Sequence, residues 1–202
     1  MPVSGRAGRS STREYQIAGS SLAEINRAIE RAGPRDPNDG TRYSGSCIGT
    51  LRVAIAARDI AFQPRAGSSP LEMTATFGGG NVFADCVLTL PRLRSTSGLS
   101  AAAQREWTRF AASVRTHEQG HVDAYVETAS ELAGELNALS ATGHGANERA
   151  AQASAARALL QLATQRIGGS VLRTRANASA RDYDARNRHG RSQGAVLDTA
   201  IA

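Results

Sequence analysis

Apolar residues alternate with polar ones in parts of the first half of the chain, which is the spacing of strands with one buried face. The alternation runs through residues 51–55 and again through 82–90, so we predict a strand in each segment. Helical spacing over 22–32, between the candidate N-cap pair Ser20-Ser21 and the stop at Gly33-Pro34, predicts a helix. The first half is therefore predicted to be a small, mostly antiparallel sheet that carries one helix.

The second half has a helical period instead. From about Ser100 to Leu139 apolar side chains recur every three or four residues without a proline, which predicts one long helix or two helices joined by a slight bend. The segment "SATGHGANE" interrupts this pattern, and a further helix rich in Ala and Leu is predicted from about Asn147 to Arg166. After Gly168-Gly169 the chain becomes polar, and its composition alone predicts a loop or a disordered tail.

The segments between these elements carry turn chemistry. "RDPNDG" and "QPRAGSSP" are typical of loops, and "FGGGN" is typical of a hairpin connection. Residues 1–13 are small, polar and basic, which favours disorder. The remainder, 14–202, is predicted to be a single α+β domain that is sheet-rich over 14–95, helical over 99–168, and ends in a tail over 170–202.

The charge of the chain limits the classes of partner that it can be expected to bind. The formal net charge is +6, and all 24 residues counted as Lys or Arg are arginines, scattered from Arg6 to Arg191. The chain has only one tryptophan, four tyrosines and four phenylalanines. Nucleic-acid interfaces gather basic side chains and stacking aromatics in one patch, so no nucleic-acid partner is predicted. An anionic polymer of the cell envelope stays a candidate partner because it suits the positive charge.

Signals of membrane insertion, export and redox state are sparse. No apolar run approaches the roughly 18 residues that a membrane span needs, so no span is predicted. The opening "MPVSGRAGRSSTRE" lacks the apolar segment of a signal peptide. Cys47 and Cys86 are either a disulfide of an oxidising compartment or two small buried side chains. Their spacing excludes a zinc ribbon and a redox C-x-x-C pair.

Residues 117–121, "HEQGH", fit the motif H-E-x-x-H within the long predicted helix. His117 and His121 lie one turn apart on the same helix face, so both imidazoles can bind one zinc ion. Glu118 lies beside them and can take a proton from a zinc-bound water as general base. Gly120 leaves room beside the second ligand for another backbone. The alternative is a pair of hydrogen-bonded core histidines, but two buried imidazoles beside a carboxylate favour a compensating metal.

A catalytic zinc ion has three protein ligands, so a third is needed. The longer pattern H-E-x-x-H-x-x-G-x-x-H is not met, because Ala124 and Glu127 stand where its glycine and third histidine would be. Glu148, at the start of the next predicted helix, is one candidate. The other histidines, His144 in the break and His189 in the tail, are further candidates, and each is equally compatible with an exposed loop histidine.

Two segments carry a resemblance to a known family, "WTRFAASVRTHEQGHVDAY" across the motif and "YDARNRHGRSQGA" near the end of the chain. With "YQIAGSSLAEINRAIERAGP" and "SCIGTLRVAIAARDI", they make the chain resemble the bacterial domain of unknown function 922 family, described as predicted secreted zinc-dependent proteases. The closing pattern of that family, Y-D-x-x-T-x-H-G-x-x-Q-G, falls on Tyr183, Asp184, His189, Gly190, Gln193 and Gly194, with Asn187 where threonine is usual.

The resemblance implies a zincin-like domain in which the tail folds back over the long helix and closes the site. It makes His189 the leading third ligand and Asp184 either a partner of a ligating histidine or an alternative oxygen ligand. Tyr183 would donate a hydrogen bond to the oxyanion of the reaction, or would simply pack the tail onto the helix. A periplasmic or secreted location is implied by the resemblance as well.

We therefore predict a zinc metallopeptidase with one zinc ion per chain, which hydrolyses peptide bonds of a protein or peptide substrate with Glu118 as general base. The alternative is a non-catalytic zinc-containing module that binds an envelope polymer or a partner protein. A third hypothesis is an amidase that acts on cell-wall cross-links through the same metal chemistry. The substrate and the oligomeric state have no signature in the sequence.

Overall fold

The structure, a computed structural model, describes residues 1–36, 40–65, 67 and 71–201. Its fold is α+β, as predicted. The elements in chain order are β1 (Ser4–Ile17), α1 (Leu22–Ala32), β2 (Ser46–Ala54), β3 (Ile60–Pro64), β4 (Leu71–Phe77), β5 (Asn81–Leu93), α2 (Ala101–Asn137), β6 (Ser140–Gly145), α3 (Glu148–Ile167) and α4 (Gly169–Asn187), with short 3₁₀ turns at Ala57–Asp59 and Arg191–Gln193.

The strands form two three-stranded sheets where one small sheet was predicted. One has the order β1-β5-β2 and the other the order β3-β4-β6. The second sheet is antiparallel throughout, with Ile60 opposite Phe77 and Thr74 opposite Thr142. The predicted hairpin at "FGGGN" is wrong, because β4 and β5 follow each other in the chain but belong to different sheets. Gly80 has a φ of +118° in this connection, a backbone conformation that glycine adopts readily and other residues rarely adopt.

Contacts within the chain group its described residues into two compact units. The first comprises Met1–Gly8, Thr50–Asp85 and Tyr125–Ala178, and the second comprises Arg9–Gly49, Cys86–Ala124 and Ser179–Ala202. Each unit draws on both the sheet-rich and the helical segments predicted from the sequence. The single domain over 14–202 stays a prediction.

In the first unit, α3 lies directly on β6. A Cβ atom at Gly143 would meet the backbone nitrogen of Ala155 at 2.0 Å, and one at Gly145 would meet that of Ala151 at 2.3 Å. Both alanines are fully buried. Small residues on both elements therefore permit backbone-to-backbone packing, and the predicted chain break at "SATGHGANE" is instead the edge strand β6. Asn147 caps α3 by accepting a hydrogen bond from the amide of Ala150.

In the second unit, the apolar faces of α1 and α2 build the core. α1 begins and ends as predicted, with Ser21 as its N-cap accepting a hydrogen bond from the Glu24 amide. Its buried side chains share one cluster with those of the first half of α2 and the turn before it, with apolar residues of β1 and β5, and with one leucine of the tail. The members are Ile17, Leu22, Ile25, Ala28, Ile29, Leu90, Leu99, Ala103, Trp107, Phe110, Val114 and Leu197. This cluster holds the part of α2 that leads into the motif.

The prediction of disorder over residues 1–13 is wrong. Val3 is 3% exposed, and its amide and carbonyl groups both bond the side chain of Asn137. Strand β1 follows at the edge of its sheet, where backbone pairing orders a segment whose side chains are mostly exposed and polar. Composition failed here because the order comes from main-chain hydrogen bonds and not from burial of side chains.

The tail is likewise more ordered than its composition predicts. Its first part is the helix α4, in which Ala176 is the one residue classed as buried. A helix with such a polar surface is stabilised by its contacts with the rest of the fold. The spacing of apolar residues along the sequence does not reveal such contacts, so it could not predict this helix. Of the loops predicted from sequence, residues 37–39 of "RDPNDG" and residues 66 and 68–70 of "QPRAGSSP" lie outside the described residues.

No helix in the described part of the chain is long and apolar enough to cross a membrane.

Gly143→Ala is expected to destabilise the fold by about 3 kcal/mol, because its new Cβ would overlap the backbone of α3, which cannot move aside. Gly134→Ala is the matched control in an exposed part of α2, where a Cβ meets nothing within 4 Å. That change should stabilise by about 0.5–1 kcal/mol through the better helix propensity of alanine. Urea unfolding of both variants measures the difference, and similar effects of the two changes would contradict the packing described for β6 and α3.

Candidate metal centre

Three side chains meet at one buried point in the second unit. His117 and His121 lie on α2, one turn apart, and Asp184 lies near the end of α4. Nε2 of His117 is 3.2 Å and Nε2 of His121 is 3.1 Å from the same oxygen, Oδ1 of Asp184. The potential ligand atoms of these three residues all lie within 4.8 Å of one another. The two histidines are buried and Asp184 is half-buried.

The turn after α4 brings the tail back to the histidines. Arg188 and His189 have φ angles of 50° and 52°, and Gly190 follows with 76°. The His189 amide donates to the carbonyl of Asp184 at 3.0 Å. A Cβ at Gly190 would lie 3.0 Å from Cγ of His117, so glycine both permits the left-handed turn and lets the backbone lie against the imidazole.

The other nitrogen of His117 has a fixed partner. Its Nδ1 lies 2.9 Å from Oε1 of Gln193, and Nε2 of Gln193 donates to the hydroxyl of Tyr183 at 3.0 Å. Because an amide oxygen only accepts, Nδ1 of His117 carries a proton, so Nε2 is the nitrogen that would ligate a metal ion at the centre. No role for Gln193 was predicted from the sequence. The signal that could have found it is its place in the closing family pattern.

A charged pair holds the segment that carries Gln193. Arg109 on α2 donates to the carbonyls of Gly194 and Val196, at 2.7 Å each. Glu106 is buried, bonds Arg109 through both oxygens, and accepts the amide of Asp198 at 2.8 Å. The hydrogen bond from Arg109 lowers the pKa of Glu106, so the carboxylate stays charged. Both side chains of the pair therefore bond the backbone after Gln193.

Gly120 makes room for a side chain, where a backbone segment was predicted. A Cβ at Gly120 would lie 1.8 Å from the hydroxyl oxygen of Tyr183. The Tyr183 ring is 4.6 Å from the His121 ring and 5.3 Å from the His117 ring, measured between centroids. Ser179, one turn earlier on α4, donates to the carbonyl of Ala124 at 3.1 Å. The H-E-x-x-H helix and α4 are thus in direct contact through the glycine.

Glu118 is held in an unfavourable environment. It is 3% exposed, and its Oε2 has no hydrogen-bond partner among the described residues. A Cβ at Gly45 would lie 2.6 Å from Oε1, so the backbone before β2 covers the carboxyl group. Burial, helped by the negative charge of Asp184, raises the pKa of Glu118 to about 8, although His117 acts in the opposite direction.

Asp184 and His117 stabilise each other's charged forms. Burial disfavours the charge of Asp184, but hydrogen bonds with His117 and His121 outweigh it and lower the pKa of Asp184. Burial also disfavours the charge of His117, but the hydrogen bonds with Asp184 and Gln193 outweigh it and raise the pKa of His117. The carboxylate form of Asp184 is therefore stabilised by its hydrogen bonds with the two histidines.

These residues fit a metal ion. Two imidazole nitrogens and one carboxylate oxygen are a common ligand set for zinc, with the remaining coordination position left open in catalytic sites. His117 already has the outer hydrogen bond that orients a ligating histidine. A cation would also compensate the buried Glu118, whose Oε2 lacks a partner in the described part of the chain.

The other predicted ligands lie outside this group of three. Nδ1 of His189 is 3.7 Å from Oδ1 of Asp184, and its half-exposed ring stacks on Tyr43 at a centroid distance of 4.9 Å. Its role as a ligand stays a prediction. Glu148 is the first residue of α3 and accepts a hydrogen bond from Gln152, and His144 lies on β6 opposite Glu72.

The fold and the site together define an α+β protein whose H-E-x-x-H helix contributes to a group of side chains suited to a metal ion. The chain belongs to the family described as "Bacterial protein of unknown function (DUF922)", whose family model matches residues 12–190. No curated protein and no solved structure gives a significant match.

Glu118→Gln is expected to stabilise the metal-free protein, because the amide has no charge to bury. A carboxyl whose pKa is raised from 4.5 to about 8 weakens the fold progressively as the pH rises through that interval, and it has no such effect at lower pH. The gain should be absent at or below pH 4.5 and reach on the order of 5 kcal/mol above pH 8. Urea unfolding of chelator-treated protein at both pH values measures it.

Glu127→Gln, an exposed change further along α2, is the control and should give no pH-dependent gain. A Glu118→Gln protein with the same stability as the wild type across this pH range would contradict the environment described for Glu118.

Proposed function

We propose that the protein is a zinc-dependent hydrolase that cleaves amide bonds, and specifically a metallopeptidase. The observation that supports this most strongly is the meeting of Nε2 of His117 and Nε2 of His121 at Oδ1 of Asp184, with the carboxyl group of Glu118 buried beside them. A structural zinc site needs four protein ligands and no neighbouring base. Three ligands and an adjacent carboxyl group are what a hydrolytic site requires.

In this proposal His117, His121 and Asp184 hold the zinc ion, and His189 is the alternative third ligand. When bound, zinc supplies a Lewis acid that polarises the carbonyl group of the substrate and makes a water molecule easier to deprotonate. The chain's own contribution begins with orientation. Gln193 fixes the proton of His117 on Nδ1, and Gly190 packs against the same ring, so the imidazole has one tautomer and one position.

Glu118 moves the proton. Its Oε2 has no competing hydrogen-bond donor among the described residues, so the oxygen can accept the proton of the attacking water. The same oxygen then donates that proton to the nitrogen of the leaving amine. The backbone at Gly45 covers the other side of the carboxyl group, which limits its rotation and keeps bulk water away from that face.

Tyr183 is the oxyanion donor in this proposal. Its hydroxyl oxygen accepts a hydrogen bond from Nε2 of Gln193, so its own hydrogen is available to another acceptor. The contact with Gly120 holds the phenol close to both histidine rings. A donor held in place before the reaction stabilises the negative charge that develops on the carbonyl oxygen.

The substrate class is proposed from chemistry and charge. Peptide bonds of proteins come first, and amide cross-links of the cell wall are the second class, because both need the same attack on a carbonyl carbon. A net charge of +6 would attract the protein to the anionic polymers of a bacterial envelope. We place the protein in the periplasm or outside the cell on this basis and on that of the family resemblance.

The test is hydrolysis of a mixed peptide library and of purified cell-wall fragments by the zinc-loaded protein, followed by mass spectrometry. Glu118→Gln is expected to keep its zinc and lose about 100- to 10,000-fold in kcat/KM, as removal of a general base does. Tyr183→Phe should lose about 100-fold, mainly in kcat. Glu127→Gln should match the wild type.

Full activity of the zinc-loaded Glu118→Gln protein would overturn the mechanism. Stable zinc binding without cleavage of any member of either substrate set would overturn the enzyme proposal and leave the zinc-containing binding module in its place.

A further inference from the structure

The two cysteines of the chain meet in the second unit. Cys47 is the second residue of β2, and Cys86 lies in the middle of β5, the strand beside β2 in the sheet. Interaction with the Cys86 side chain, together with burial, raises the pKa of the Cys47 thiol, so the two side chains lie next to each other on these neighbouring strands. Cys86 is 2% exposed, whereas Cys47 is only partly buried.

We propose that Cys47 and Cys86 form an intramolecular disulfide that joins β2 to β5. β2 and β5 are neighbours in the sheet, and interacting residues of neighbouring strands have Cα atoms about 4.5–5.5 Å apart when they are directly opposed. A disulfide bridges such separations without large movement of the backbone. The bond therefore forms within the native fold and needs no rearrangement.

The oxidant is a disulfide, either oxidised glutathione or the active-site disulfide of a thiol oxidoreductase. The sulfur of Cys47, the more exposed one, attacks the oxidant to give a mixed disulfide and one released thiol. The sulfur of Cys86 then attacks the sulfur of Cys47 and releases the second thiol. Two protons and two electrons pass from the cysteines to the two sulfur atoms of the oxidant, and one sulfur–sulfur bond replaces another.

The position of the bond gives it a consequence for the metal centre. Gly45 lies two residues before Cys47, and its backbone packs on Oε1 of Glu118 and on the side chain of Val114. The Tyr15 hydroxyl donates a hydrogen bond of 2.8 Å to the carbonyl of Ser44, the residue before Gly45. A covalent tie at Cys47 restrains the start of β2 and so keeps Gly45 over the carboxyl group of Glu118.

The test uses the full chain, unfolded and reduced in urea, then refolded to equilibrium in a mixture of oxidised and reduced glutathione. Acid quenching, alkylation in urea and mass spectrometry count the thiols. The refolded wild type is expected to be lighter by two hydrogen atoms and to accept no alkyl group. Cys86→Ala should carry glutathione on Cys47, whereas Cys47→Ala should keep an unmodified Cys86, because its buried site has no room for the adduct.

A refolded wild type that retains both thiols, or that carries glutathione on Cys47, would overturn the proposal. This readout is independent of zinc and of any activity, so it stands or fails separately from the proposed function. The conclusion is drawn from the thiol count of the wild-type protein, so a variant that fails to fold does not affect it.

A second measurement tests the restraint on β2. The bridged protein should melt roughly 5–10 °C above the reduced protein, and amide exchange should slow in the peptide that covers residues 45–51. Amide exchange in the α3 peptide, residues 148–167, is the internal control for the effect at β2. A bridge that leaves both the melting temperature and the exchange of residues 45–51 unchanged would contradict the restraint.

Discussion

Two imidazole nitrogens directed at one carboxylate oxygen form the interaction on which the rest of the site depends. His117, His121 and Asp184 lie in a largely buried environment where an isolated charge is unfavourable, and Glu118 adds a second carboxyl group a short distance away. Such a cluster is stable only when positive charge resides among its members. In the function proposed above, a metal ion would provide that charge with better geometry than a proton shared between imidazole and carboxylate, because it would bind both nitrogens and the oxygen at once.

The tail of the chain is what completes this arrangement. Asp184 reaches the histidines because α4 lies against α2, where Gly120 admits the ring of Tyr183. Gln193 then bonds His117 from the segment that follows α4. The pair of Glu106 and Arg109 anchors this segment through three hydrogen bonds to its backbone, and the two side chains make two hydrogen bonds to each other. The residues that position the site therefore come from α2 and from the last segment of the second unit.

The parts of this account that were predictable from sequence are those encoded locally. The ends of α1, the extent of α2 and the facing of His117 and His121 follow from helical spacing and capping, which act over a few residues. Strands β3, β4 and β6, the part of β1 before Tyr15, and helix α4 were not predicted. Their order arises from pairing and packing with distant residues, as the bonds of Val3 to Asn137 show. For the same reason, spacing alone could not choose the third ligand. Only the fold brings Asp184 and His189 close to the motif.

Zinc content per chain, measured by elemental analysis after zinc loading and dialysis, tests the central claim most directly. The account predicts one zinc ion in the wild type and in His144→Ala, an exposed change on β6, and loss of zinc in both His117→Ala and Asp184→Ala. Zinc retained at full affinity in Asp184→Ala would move the third ligand to His189. A wild type that binds no zinc would contradict the account, because the cluster would then be a buried ion pair of the protein's own side chains.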